Sequence, residues 1–120
     1  MYDYSKSLDS MILKNNSPEK GKLIEVGTNY EFHYNPITKG DNTQIILNFT
    51  SEENLVSNSA SAGCGCTSAI AIPVSKNEFN LTVGYNSSLI GVFSKNVTSV
   101  FQEAGKQKTV TIKIKGEVKK

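Results

Sequence analysis

The 120-residue chain contains no arginine, since all thirteen of its basic residues are lysine, and its net charge is only +2. Arginine supplies the bidentate contacts to guanine and phosphate on which sequence-specific nucleic-acid binding relies. We therefore expect no specific nucleic-acid partner. Long apolar runs are also missing: none approaches the roughly 20 residues that a membrane-spanning helix needs. No membrane partner is expected either.

Side chains for catalysis are equally scarce. The chain has one histidine, His33, and two cysteines, Cys64 and Cys66. A cysteine nucleophile needs a base, and His33 falls on the polar side of an alternating segment. The sequence has no Ser-His-Asp set, no glycine-rich phosphate loop, and no acidic pair whose spacing specifies acid–base chemistry. We expect a protein that is not an enzyme and that binds no cofactor and no metal.

The N-terminal segment MYDYSKSLDSMILKNN lacks the basic start, the long apolar stretch and the small-residue cleavage site of a secretory signal peptide. This favours a protein that stays in the cytoplasm in which it is made, or one that is packed into a particle assembled there.

Alternating apolar and polar residues, the period of a half-buried strand, dominate the chain from residue 21 onward. Turn signals separate the alternating segments, and no helical pattern lies among them. The predicted strands cover residues 22–26, 30–34, 45–50, 55–60, 66–72, 79–85, 91–101 and 109–115. This pattern predicts an all-β fold, an immunoglobulin-like antiparallel β-sandwich of about seven to eight strands.

The apolar sides of these strands give the expected core, which includes Phe32, Ile45, Leu47, Leu81, Val83, Ile112 and Ile114. One strand is irregular. In GVFSKNVTSVF, Val92 and Phe93 cannot both point inward. We expect a β-bulge there, or a strand that meets a partner on its second side.

The first twenty residues differ from the rest, so we divide the chain into an N-terminal arm, 1–20, and a sandwich, 21–120. The arm is polar apart from a few apolar residues whose spacing suits one or two amphipathic turns. We expect these residues to be assembly contacts on a neighbouring protein. They are Leu8, Met11, Ile12 and Leu13.

The stretch SAGCGCTSAIAIP places both cysteines one residue apart. Counting by twos from Ile72 and Ile70 reaches Cys66 and Cys64, which predicts that all four share the inward face of one strand. Buried cysteine behaves as a small hydrophobe, so structural thiols are the favoured interpretation. A disulfide, a metal site and a redox pair stay open as alternatives.

The Cys-Gly-Cys-Thr run at residues 64–67 resembles the signature of a bacterial family of immunoglobulin-like domains of unknown function. That family is similar to the ASH, MSP and PapD-like sandwiches. Further stretches resemble the family in the same order along the chain. They are LIEVG, YEFHY, IILNF, the segment around Pro73, LTVGYNSSLIGVFSKNVT and TIKIKGEV. The resemblance implies an immunoglobulin-like fold and no known catalysis.

Two functions follow as expectations. The first is a decorating or cementing (auxiliary) capsid protein of a tailed bacteriophage, which would lie on the capsid surface of the virion and bind the major capsid protein. The second is an immunoglobulin-like module of the bacterial cell envelope, which would bind surface proteins or glycans. Because sandwich folds serve many functions, the choice between them rests on analogy.

Overall fold

The computed structural model describes residues 11–27, 29–63, 65–103 and 105–120, without the side chain of Asn58. Leu8 and Cys64 lie outside the described residues. Ten strands make up the described fold, and no helix is found there that could cross a membrane. The strands are β1 (Ile12–Asn15), β2 (Gly21–Val26), β3 (Asn29–Tyr34), β4 (Ile37–Thr38), β5 (Ile45–Thr50), β6 (Leu55–Ala62), β7 (Thr67–Ser75), β8 (Glu78–Tyr85), β9 (Gly91–Glu103) and β10 (Lys106–Lys119).

These strands form two sheets. Sheet A has the order β1-β5-β8-β7, and sheet B has the order β2-β3-β10-β9-β6, with β4 attached to β10. The molecule is elongated, about 58 × 22 × 22 Å, because β9 and β10 form one hairpin of thirteen and fourteen residues that runs along its length. The predicted all-β, immunoglobulin-like sandwich is confirmed.

Strand direction differs from the antiparallel expectation in two places. β3 pairs with β10 in parallel, with Phe32 beside Ile114, and β4 also pairs with β10 in parallel. All other pairs are antiparallel. Side-chain alternation reports which face of a strand is buried but carries no information about the direction of the neighbouring strand. The sequence pattern could therefore identify β3 without identifying its pairing.

The core lies between the two sheets and agrees with the expectation from alternation. All seven residues expected there are fully buried. At one end of the core, three aromatic rings meet. The ring of Phe101 lies 4.8 Å from that of Phe49 and 5.5 Å from that of Phe79, measured between centroids. These contacts join a strand of sheet B to two strands of sheet A.

The β-bulge expected at Val92 and Phe93 in β9 is not found. Phe93, Val97 and Phe101 all point into the core, and Val92 points to solvent with 83% of its surface exposed. The register of β9 with β10 is continuous from Gly91 to Glu103. The irregularity lies instead in the neighbouring strand β6, whose register with β9 shifts between Ser57 and Ser59.

A buried tyrosine fixes the loop between β4 and β5. The hydroxyl of Tyr34 donates to the carbonyl oxygen of Thr43 at 2.6 Å. The Thr43 hydroxyl in turn donates to the carbonyl of Tyr85 and accepts from its N–H at 2.8 Å. Burial raises the pKa of Tyr34 well above its ordinary value of 10.0. The loop is thereby attached to both sheets.

Replacing Tyr34 by phenylalanine is expected to lower the free energy of unfolding by about 1–3 kcal/mol, because the Thr43 carbonyl loses its buried donor. Chemical denaturation measures this change. Since the folded state disfavours the phenolate, the wild-type fold should also lose stability as the pH rises above about 10, and Tyr34→Phe should reduce that loss. Tyr85→Phe, which keeps the ring, is the control. An unchanged denaturation midpoint for Tyr34→Phe would contradict this account of the loop.

Candidate assembly surfaces

Part of the predicted arm belongs to the sandwich. β1 lies within residues 1–20 and pairs with β5, so that Ile12 lies beside Thr50 and Leu13 beside Phe49. Met11 and Leu13 pack against the chain's own core, whereas Ile12 is 62% exposed. Of the three predicted contacts that the structure describes, Ile12 is thus the one whose side chain projects from the sheet.

The link from β1 to β2 is also tied to the sandwich. The N–H of Asn16 donates to the carbonyl of Ile46 at 3.0 Å, and the N–H of Ile46 donates to the Ser17 hydroxyl at 2.9 Å. The Asn15 amide donates to the carbonyl of Gly21 at 3.1 Å. The described part of the arm therefore forms an edge of sheet A. Its role in assembly stays a prediction.

The described cysteine is not a free thiol. Cys66 lies half-buried in the turn before β7 and is disulfide-bonded. Its carbonyl accepts the N–H of Asn86 at 2.7 Å. Of the alternatives that the sequence left open, the bridged form is the one found at Cys66. The sequence contains one other cysteine, Cys64, which is outside the described residues.

The face predicted for the strand that follows is wrong. Ile70 and Ile72 are 61% and 50% exposed, while Ala69 and Ala71 face the core. The pairing of β7 with β8 determines which side chains face the core, since Ala69 lies beside the buried Val83 and Ala71 beside the buried Leu81. Small side chains face inward at this edge of the sandwich, and the larger β-branched ones face out.

The outer face of sheet A, meaning the side away from sheet B, therefore carries several exposed apolar side chains. Thr82 lies beside Ile46 on one neighbouring strand and beside Ile70 on the other, so these three form one row across the sheet. The next row holds polar groups, in which the Asn48 amide donates to Asn80 at 2.9 Å and to Glu78 at 2.8 Å. The exposed apolar residues of this sheet are Ile12, Ile46, Ile70, Ile72 and Val74.

An open cleft of about 550 Å³ lies at the end of the molecule that carries Cys66. Amide and hydroxyl side chains line it, among them Asn42, Gln44 and Asn86, together with Tyr85. The ring of Tyr85 stacks on Phe93 with centroids 3.8 Å apart, so one ring face is already covered. In the part of the chain that the structure describes, no group of three or more His, Cys, Asp or Glu side chains could hold a metal ion.

The single histidine lies on the outer face of sheet B, as its place on the polar side of β3 indicated. Nε2 of His33 donates to Oε1 of Glu31 at 2.8 Å. This hydrogen bond lowers the pKa of Glu31, partial burial opposes the shift, and Lys115 at 3.8 Å lowers the pKa further. Cys66 lies in the turn before β7 of sheet A, whereas His33 lies in β3 of sheet B, so the two residues share neither a strand nor a sheet.

An NMR titration of the Glu31 carboxyl is expected to give a midpoint below the ordinary 4.5. The stabilisation from this pair should be present above that ordinary pKa and should be lost as the pH falls through the folded-state pKa. His33→Ala should move the midpoint back up because it removes the main cause of the shift. A Glu31 midpoint that does not respond to His33→Ala would contradict the assigned hydrogen bond.

Comparison with known proteins supports the fold alone. No family model matches the chain, and no curated protein matches it in sequence. In structure it is similar to the ASH/PapD-like domain 7 of human CEP192, with a TM-score of 0.57 and 7% identity over 100% of this chain and 91% of that one. It is also similar to part of the Vibrio cholerae VesB protease, with a TM-score of 0.60 and 9% identity over 96% of this chain. The chain spans 34% of the VesB chain. The ASH/PapD-like neighbour agrees with the immunoglobulin-like sandwich expected from the sequence.

Proposed function

We propose that this chain is a non-enzymatic structural protein that decorates or cements the capsid of a tailed bacteriophage, with the major capsid protein as its partner. The observation that carries the proposal is the outer face of sheet A, where isoleucine and valine side chains are exposed on three of four strands. Apolar side chains that one sheet face exposes beside polar groups are typical of protein–protein contact sites. A small net charge of +2 is compatible with a protein partner.

The arm supplies the second part of the proposal. Ile12 lies at the edge of the outer face of sheet A, and Met11 alone separates it from residues 1–10 in the sequence. Residues 1–10 include Leu8, one of the predicted contacts. A segment that leads into an exposed isoleucine at a sheet edge can contact the same neighbouring protein as that isoleucine. We further propose that the Cys-Gly-Cys-Thr run assigns the chain to the bacterial immunoglobulin-like family that it resembles.

Reconstitution tests this function. Capsids assembled in the absence of the chain are mixed with purified protein, and bound protein is measured after sedimentation. We expect saturable binding in a fixed ratio to the major capsid protein. Deletion of residues 2–10, which keeps β1, and Ile12→Lys should each weaken binding about tenfold or more, a loss of at least 1.4 kcal/mol. Ile24→Lys, an exposed isoleucine on sheet B, is the matched control.

Full binding by both the deletion and Ile12→Lys would show that the arm does not make the contact. Loss of binding in Ile24→Lys, with full binding by Ile12→Lys, would place the contact on sheet B. Failure of the wild-type protein to bind any capsid would remove the proposed function itself. Circular dichroism of each variant distinguishes loss of contact from loss of fold.

A second candidate, an envelope module that binds glycans, is favoured by the cleft near Cys66. Its amide and hydroxyl lining offers donors and acceptors that suit sugar hydroxyls. If this candidate is correct, Asn42→Ala and Asn86→Ala should weaken glycan binding in an array or by calorimetry, and the protein should be recovered with the cell envelope. Recovery with virions favours the capsid role.

A further inference from the structure

β7 is the last strand of sheet A, and among the described residues it pairs on one side with β8 and with no strand on the other. The direction of its backbone groups follows from one hydrogen bond. Because the N–H of Asn86 donates to the carbonyl of Cys66, residues 66, 68, 70 and 72 direct their backbone groups toward β8. Ala69 and Ala71 then direct their N–H and C=O groups away from β8, toward the open edge.

The other sheet edges are short, charged or interrupted. β1 has four residues and carries Lys14, and β2 carries Lys22 and Glu25. β6 is uncharged, but its register shifts at residues 57–59. β7 has nine residues and no charge, and its register with β8 shifts only near its end, between Pro73 and Ser75. Its Ile70, Ile72 and Val74 side chains are each at least half exposed. Proteins that stay monomeric usually protect such an edge with lysine, short length or a bulge.

We propose that β7 pairs antiparallel with β7 of a second copy of this chain, about a twofold axis at Ile70, so that two four-stranded sheets join into one of eight strands. In this register Ala69 lies opposite the partner's Ala71, and Ala71 lies opposite the partner's Ala69. Each pair exchanges two N–H···O=C bonds, which makes four across the axis. Pro73, which lacks an N–H, lies where this ladder ends.

Because β7 is complementary to itself, the partner at its open edge is a second copy of this chain. The uncharged strand brings no like charges together when it meets itself, whereas self-pairing of β1 or β2 would bring Lys14 or Lys22 of the two copies to one shared edge. On the core side, alanine meets alanine, so the two backbones can approach to strand spacing. On the outer side, Ile70 meets the partner's Ile70 in a non-hydrogen-bonded pair, where Cα atoms lie about 4.5 Å apart and side-chain contact is closest.

The pairing also extends the apolar row on the outer face. Ile46, Thr82 and Ile70 of one copy would continue into the same three residues of the other. A single-strand contact buries less than the roughly 1,600 Å² of a standard interface, so we expect a dimer that dissociates on dilution, in the micromolar range. The pairing rests on the geometry of β7 and does not depend on the proposed capsid role.

Sedimentation velocity across a concentration series tests the dimer. The wild-type chain should shift from monomer to dimer, and Ile70→Lys should raise the dimer dissociation constant about tenfold or more, because two ammonium groups would face each other at the axis. Ile12→Lys is the matched control, since Ile12 is 62% and Ile70 61% exposed on the same sheet, at opposite edges. Ile12→Lys should dimerise like the wild type.

A disulfide cross-link gives an independent measurement, because it detects the pairing directly and not through a weakened dimer. Ile70→Cys should form a covalent dimer on mild oxidation, because Cα atoms about 4.5 Å apart lie within the range that a disulfide spans. Ile12→Cys should not. A wild-type chain that stays monomeric at all concentrations, or a dimer that Ile12→Lys disrupts and Ile70→Lys leaves intact, would overturn the proposal.

Discussion

Phe101→Ala is expected to lower the free energy of unfolding by about 3–5 kcal/mol, the range for removing a fully buried aromatic side chain. Phe101 is completely buried, and its ring contacts Phe49 and Phe79 of the opposite sheet. The substitution removes apolar burial and leaves a cavity between the sheets. Since domains are stable by about 5–15 kcal/mol in total, the variant should be close to unfolding at moderate temperature.

Chemical denaturation followed by circular dichroism measures this change. Leu89→Ala is the control because Leu89 is 73% exposed, and exposed substitutions of this kind change stability by about 0.5 kcal/mol or less. Equal stability of Phe101→Ala and Leu89→Ala would mean that the two sheets do not pack through this aromatic cluster.

Gly21→Ala is expected to cost about 2–3 kcal/mol, the upper part of the range for overpacking. A Cβ at Gly21 would lie 2.2 Å from the carbonyl oxygen of His33 and 2.9 Å from the ring of Phe32. The closest atom belongs to the backbone of the paired strand β3, so it cannot rotate away as the end of a side chain could. β2 would have to separate from β3 to admit the methyl group.

Gly63→Ala is the matched control, since the nearest atom to its added Cβ is the carbonyl oxygen of Asn96 at an ordinary 3.5 Å. Thermal unfolding of the two variants compares them directly. If Gly21→Ala unfolds at the wild-type temperature, the close pairing of β2 with β3 at this position is wrong.

The strands and the core were predictable because alternation in this chain is strong wherever one face is buried and the other is wet. Tyr30 to Tyr34 and Ile45 to Thr50 show it clearly, and both segments are strands with the expected faces. All eight predicted strands are present. β1 and β4 were missed because four and two residues are too short to show a period.

β7 shows where alternation alone fails. In SAIAIP both faces of the strand are apolar, because alanine and isoleucine alternate. Hydropathy then favours burying the larger residue, isoleucine. The structure instead turns the partly buried Ala69 and Ala71 toward the core, where the facing residues of β8, Val83 and Leu81, are fully buried beside them. Which face of β7 is buried depends on the side chains of the neighbouring strand β8, and the alternation within β7 carries no information about them.

The candidate surfaces were predictable only in part for the same reason. The sequence identified Ile12 as an apolar residue in a polar arm, but the pairing that packs Met11 and Leu13 against the core arises from β5. The open edge of β7 had no signal in the sequence, because which strand ends a sheet depends on the order of all strands.

The amount of this chain in gradient-purified phage particles tests the proposed role most directly. The proposal implies that a phage encodes the chain, and mass spectrometry of that phage's particles would measure its copy number relative to the major capsid protein. We predict a fixed ratio that survives repeated purification. Particles that contain none of the chain, with the protein recovered in the host cell envelope, would contradict the proposed capsid role.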